Sequence, residues 1–277
     1  MEQINHIEGC DRLITSAKQN GFMHTNCVLL PDEINRYIAR GRLFFHRSEN
    51  GLCLFCDEGS YRILYIFTAP EAELDIPVHD KPLVARIVHR EHAQPDPVIT
   101  SALIKAGFSL QRQTRQLTLR ITEELIHELR QRAHAAEFEV QVCPAADADE
   151  FMRIRNEFLP YYHFSDLSAD ELAQRLSDHC HLIVRNQNHD ICAIFQSSFS
   201  GAAVTPEGLA VKTAYRRRGL GALLMQALLE NAFAHHIKRC QMWVDAQNTP
   251  AVRLYEKLGF QFPNRCAFEY LLNSTEK

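Results

Sequence analysis

Glu207-Gly208-Leu209-Ala210-Val211 reads as a short apolar strand, and it runs through Lys212-Thr213-Ala214-Tyr215 into Arg216-Arg217-Arg218-Gly219-Leu220-Gly221-Ala222. From there Leu220, Leu223, Leu224, Ala227 and Leu228 recur at helical spacing, the stripe of a helix with one face in a core. The two glycines therefore stand at a helix N-terminus. Unpaired N–H groups of a first helical turn and the positive end of the helix dipole form an anion site. Gly219 and Gly221 would let a pyrophosphate approach, and Arg216, Arg217 and Arg218 would add charge-assisted hydrogen bonds. A basic turn that merely opens a core helix explains the same residues, because short glycine patterns are common.

The downstream sequence discriminates between these readings. Trp243-Val244-Asp245 is a strand end, and Asn248-Thr249-Pro250-Ala251 opens a helix that carries Tyr255 and ends at Leu258-Gly259-Phe260. Strand, Arg-x-x-Gly-x-Gly turn, long helix, strand, and Asn-x-x-Ala-x-x-x-Tyr-x-x-x-Gly-Phe follow in order over residues 207–260. In this the chain resembles the GCN5-related N-acetyltransferases (GNAT), with weaker agreement over 138–206. Thr213 stands where the family often has Pro, and a turn can form with either.

The resemblance implies a GNAT fold of α/β (α+β) class, a mixed central sheet flanked by helices, and acetyl-CoA as the acyl donor. It implies that the strand containing Leu209, Ala210 and Val211 is splayed from its neighbour, so that its free backbone groups meet pantetheine. The turn residues Arg216 to Ala222, Leu220 included, would hold the pyrophosphate. Asn248 would fix the helix start or touch pantetheine, and a plain N-cap would look identical in sequence.

Acyl transfer from a thioester to an amine needs a neutral amine, a stabilised oxyanion and a proton for the departing thiolate. By resemblance the Val211 N–H faces the thioester carbonyl and Tyr255 protonates the sulfur. A phenol with an ordinary pKa of about 10 suits that task, although a Tyr packed on the sheet would also fit. Glu207 is the candidate base, acting directly or through water, and strand alternation places it on the face of Leu209 and Val211. Many related enzymes use a water chain instead. The expected activity is N-acetyl transfer to a primary amine by direct attack in a ternary complex. The alternative is a non-catalytic acyl-CoA-binding sensor or scaffold module, which has no need of Tyr255.

At 277 residues the chain has length for two domains, and 46% apolar with 23% charged residues is the balance of a folded protein. A net charge of −4 argues against a nucleic-acid-coating surface. No apolar run approaches the roughly 20 residues of a membrane span, and Met1-Glu2-Gln3-Ile4-Asn5-His6 carries no secretory signal, so a cytoplasmic monomer or homodimer without disulfides is expected. No metal site is expected: Cys53-Leu54-Phe55-Cys56 has zinc-like spacing but reads as a buried strand, and His179-Cys180-His181 and His235-His236 lack partners. Tyr161-Tyr162-His163-Phe164 falls where the family shapes its acceptor pocket.

The expected division is a degenerate GNAT-like domain over 1–125 and a catalytic domain over 137–277, joined by a helix within 122–137. Lys105-Ala106-Gly107-Phe108 matches Lys257-Leu258-Gly259-Phe260, with a helix before and a strand after each. In that register Leu103 falls at Tyr255 and Asp96 at Asn248, so the proton donor is missing. Residues 69–82, between the strands Arg62–Thr68 and Leu83–His89, hold neither an Arg-x-x-Gly-x-Gly turn nor room for a long helix.

Overall fold

The structure is a computed structural model, described for residues 1–131, 137–159, 181–200 and 203–274. It is mixed α/β and forms two compact units that interleave along the chain: 1–115 with 245–247 and 264–277, and 116–244 with 248–263.

The first unit contains β1 (Glu2–Gln3), α1 (Ile7–Gln19), β2 (His24–Thr25), α2 (Pro31–Ala39), β3 (Leu43–Ser48), β4 (Gly51–Asp57), β5 (Arg62–Thr68), β6 (Leu83–Arg90) and α3 (Pro97–Lys105). Its sheet runs β1-β3-β4-β5-β6. Both faces of β4 are buried, which is why Gly51-Leu52-Cys53-Leu54-Phe55-Cys56 is continuously apolar instead of alternating. Cys53 and Phe55 pack with Ile99 and Leu103 of α3. Leu52, Leu54 and Cys56 pack with Cys10, Ala17 and Ile34 of α1 and α2. The two cysteines of the zinc-like spacing thus point into different cores, and burial pushes the Cys53 thiol up to about 12.

Beyond β6 the order departs from the chain order. The next strand is β13 (Arg265–Leu272), and on its far side lies the N-terminal part of β7 (Ser109–Arg120). β13 pairs antiparallel with β6 from Arg265↔Arg90 to Leu272↔Leu83, and with β7 from Cys266↔Arg115 to Leu271↔Ser109. Its buried Glu269 accepts from both Arg86 of β6 and Arg112 of β7. A boundary placed between 125 and 137 therefore assigns β13 to the wrong unit. Strand pairing between residues more than 150 positions apart leaves no local mark in a sequence.

The second unit takes the C-terminal part of β7 and continues with α4 (Glu123–Arg130), β8 (Phe138–Val142), α5 (Ala148–Phe158), β9 (His181–Asn186), β10 (Ile191–Ser200), β11 (Ala203–Val211), α6 (Leu220–Ala234), β12 (Arg239–Asp245) and α7 (Thr249–Lys257). The sheet order after β7 is β12-β11-β10-β9-β8. On one face Leu182, Val184, Ala193 and Phe195 pack against Leu220, Leu224 and Leu228 of α6. On the other, Ile183, Ile194 and Ala210 pack against Phe151 and Ile154 of α5.

The two units share local architecture. α3 is opened by the Asp96 side chain and α7 by that of Asn248. Gly107 and Gly259 both have φ of 89°, and Phe108 and Phe260 donate to Leu103 and Tyr255, each at 3.0 Å. Residues 69–82 form no helix. The expected helix over Ser168–Asp178 lies outside the described residues. No helix among those described is long and apolar enough to cross a membrane.

Candidate functional site

β11 and β12 run parallel, but they pair only at Ala203↔Arg239 and Val204↔Cys240. β11 stays paired with β10 along its whole length, to Val211↔Ala193. From residue 205 onward its other edge is released, so the two strands form a wedge. Lys212 donates to Cys192 O at 3.0 Å, and backbone groups alternate between the two edges of a strand. The N–H and C=O of Ala210 therefore serve β10, whereas those of Leu209 and Val211 face the wedge. Their side chains belong to the apolar face that also holds Tyr255.

The turn after β11 is built with strain and charge. Thr213–Tyr215 forms a single 3₁₀ turn where the family often has Pro. Arg217 has φ of 63° and Gly219 φ of 82°, the left-handed region that costs a side chain roughly 1–2 kcal/mol. A Cβ at Gly219 would meet nothing within 4 Å. No side chain caps α6, and its first helical bond is Leu223 N–H to Gly219 O, so the N–H groups of Leu220, Gly221 and Ala222 are left for a ligand or water. Arg216 donates from Nε to Val211 O at 3.2 Å, which ties the turn to the end of β11, and its guanidinium lies over the Phe158 ring at 5.8 Å. Arg218 stacks over Tyr215 at 5.7 Å, and all three arginines are exposed.

Gly221 also has a packing role. Its Cβ would meet Leu254 Cδ2 at 3.2 Å and Leu209 Cδ2 at 3.8 Å. The missing side chain allows α6, α7 and β11 to pack closely, and it is Gly219 that faces open space.

Tyr255 is 9% exposed, with its ring 5.6 Å from that of Phe260. Burial, and secondarily the Cys240 thiol, push its phenol up to about 12. Asn248 is an N-cap, accepting from Ala251 N–H at 3.2 Å.

Glu207 departs from expectation. Gln196 pairs with Gly208 and Ser197 with Pro206, which leaves Glu207 as the extra residue of a β-bulge. A bulge interrupts the alternation of side chains. The Glu207 carboxylate consequently lies away from the face of Leu209 and Val211 and accepts from Gln196 Nε2 at 2.8 Å. Gln196 Oε1 in turn accepts from Arg155 Nε of α5 at 3.1 Å. Arg155 and Gln196 are 3% and 2% exposed, so the amide is held with its NH2 toward Glu207. Sequence reading missed both. Their signal was a Gln inside the apolar run Ile191–Ser197 and an Arg beside Phe151 and Ile154 on the inward stripe of α5. The aromatic run 161–164, with His179 and Cys180, lies outside the described residues. Among the described residues there is no cluster of His, Cys, Asp or Glu able to hold a metal ion.

A wedge between parallel strands followed by an uncapped basic helix start can take an extended amide chain along the open edge and an anion at the helix end. Residues 148–260 match the model of the Acetyltransferase (GNAT) family. Apart from 245–247, the matched residues lie within the second unit, and over that stretch the chain is similar to the GNAT superfamily. Members of this family generally use acetyl-CoA. A mycothiol acetyltransferase of Corynebacterium glutamicum is 48% identical over 50 residues, which is 18% of this chain and 17% of that relative. The match thus spans about a sixth of the relative's length. Among solved structures, a GCN5-related N-acetyltransferase of Sphaerobacter thermophilus has a TM-score of 0.57 at 11% identity, over 95% of this chain and 91% of its own. A tandem GNAT protein from the clavulanic acid biosynthesis pathway has a TM-score of 0.55 at 14% identity, over 83% of this chain and 82% of its own. These two share the fold along most of the chain, including the first unit.

Proposed function

We propose that the second unit is an acetyl-CoA-dependent N-acetyltransferase that moves an acetyl group to a primary amine by direct attack in a ternary complex. The observation that carries this reading is the open edge of β11, which presents the backbone of Leu209 and Val211 directly ahead of the uncapped start of α6. An extended amide chain fits the first and a pyrophosphate the second. Bound there, acetyl-CoA supplies an activated acyl group.

The residues have complementary tasks. The Val211 N–H donates to the carbonyl oxygen as charge develops on it. Tyr255, kept neutral by burial, gives its proton to the leaving sulfur. Glu207 takes the amine proton from the opposite face of the sheet, and the Arg155–Gln196 pair orients its carboxylate. Donor and acceptor thus approach the wedge from different sides, which is what direct attack requires. The first unit is a degenerate copy of the fold with no part in the chemistry.

Thiol release from acetyl-CoA, followed across a panel of amines, tests the activity; no release above the hydrolysis background with any amine would leave a binding module. With a productive amine, Glu207→Gln is expected to lower kcat by roughly 10²-fold or more, in the range for one general base, with acetyl-CoA affinity unchanged. Equal turnover in that variant would assign deprotonation to water.

The turn is tested at Gly219. Gly219→Leu strains the left-handed residue that aims the first N–H groups of α6, and acetyl-CoA should bind at least about tenfold more weakly, or roughly 1.4 kcal/mol, by calorimetry. Unchanged affinity would remove the turn from the site.

A further inference from the structure

The first unit contains the same wedge. β5 and β6 run parallel and pair only at Arg62↔Leu83 and Ile63↔Val84, as β11 and β12 do at 203–204. β5 remains paired with β4 throughout, to Thr68↔Gly51. In this unit, however, the released edge is filled. Asn26 is 4% exposed, and its side-chain amide stands between the two strands. Nδ2 donates to Leu64 O of β5 at 3.1 Å and to Arg86 O of β6 at 3.2 Å, and Oδ1 accepts from Ile66 N–H at 2.8 Å. Just beyond, β2 closes the rest of the edge through Thr25↔Phe67 and His24↔Thr68. His24 Nδ1 is anchored 2.9 Å from Oδ2 of Asp96, the residue that caps α3. The plug is therefore built in and held at both ends.

We propose that Asn26 is an internal replacement for a bound carboxamide: it satisfies in the first unit the backbone groups that the second unit leaves for the amides of an acyl-CoA. The chain then binds one acyl-CoA, in the second unit only. The physical reason is that a parallel pair which splays leaves buried N–H and C=O groups, and these must be satisfied by a ligand or by the protein itself. One carboxamide supplies two donors and one acceptor in the arrangement required. Loss of the phosphate-binding turn between β5 and β6 removes the pyrophosphate contacts, and the plug removes the need for the rest of the ligand.

This inference rests on the second unit being an acyl-CoA site, and one experiment separates the two claims. Amide hydrogen exchange is measured on the full chain with and without saturating CoA, together with calorimetric stoichiometry. One CoA per chain, slowed exchange at Leu209 and Val211, and an Ile66 amide already protected and unmoved by CoA are expected. Stoichiometry of two, or slowing at Ile66 on adding CoA, overturns the plug and leaves the second-unit reading standing. Absence of any effect at Leu209 and Val211 overturns that reading. Asn26→Ala should speed exchange at Ile66 by about tenfold or more, since one lost bond in a buried site is worth about that factor. Unchanged exchange at Ile66 in that variant would also overturn the plug.

Discussion

Replacing Tyr255 with Phe is expected to leave acetyl-CoA affinity within about twofold of wild type and to lower turnover by roughly 10²–10⁴-fold, the range of one general acid–base group. That loss corresponds to roughly 2.7–5.5 kcal/mol of barrier. The two side chains differ by one hydroxyl and the ring stays packed on Phe260, so the change removes a proton donor and little else. The pH dependence has a definite sign. Burial raises the phenol from 10.0 to about 12, so its neutral form is favoured in the fold. The stability this contributes is fully present below about pH 10 and is lost as the pH rises toward 12. The phenol therefore stays protonated throughout the neutral range, and the proposed proton donation by Tyr255 is expected to add no limb to the pH–rate profile there. Calorimetry and thiol-release kinetics on the same preparation give both numbers, and near-normal turnover on the productive amine would remove Tyr255 from the mechanism.

Truncation after Pro263 is expected to unfold the first unit. It removes β13, and with it the hydrogen-bond partner of β6 on one side and of the N-terminal part of β7 on the other. Buried Cys266, Ala267, Glu269 and Tyr270 leave the core, and Arg86 and Arg112 lose the carboxylate they share. A domain is stabilised by only about 5–15 kcal/mol, which is less than the removal of a central strand costs. Hydrogen exchange should show loss of protection in β4, β5 and β6. A truncated chain with wild-type protection at Ile87 would show that β13 is dispensable. A fragment covering 1–125 lacks the same strand and is expected to fail for the same reason.

The local elements were legible because their causes are local. The apolar runs Arg62–Thr68 and Arg239–Asp245 are strands at those bounds. The stripe Leu220–Leu228 is a buried helix face, and the Asn248 cap opens its helix where the sequence puts it. The glycine turn and Tyr255 belong to a pattern of fixed spacing within residues 207–260, so the resemblance to the family, and with it the expected donor and candidate residues, could be stated from the chain alone.

What required the tertiary structure was everything set by long-range pairing. One unmatched residue opposite Gln196 turns Glu207 to the other face, and alternation counted along a single strand cannot reveal a bulge, which is a property of two. Gln196 and Arg155 become a buried pair only when α5 packs on the sheet. That Gly221 also packs against Leu254 and Leu209 is visible only once the helices and β11 are assembled. Asn26 and β13 make the strongest case: a polar residue in a loop and a strand at the chain's end show nothing locally of the edges they fill. Those edges are backbone groups that must find partners wherever the fold brings them, and the partners were 38 and more positions away.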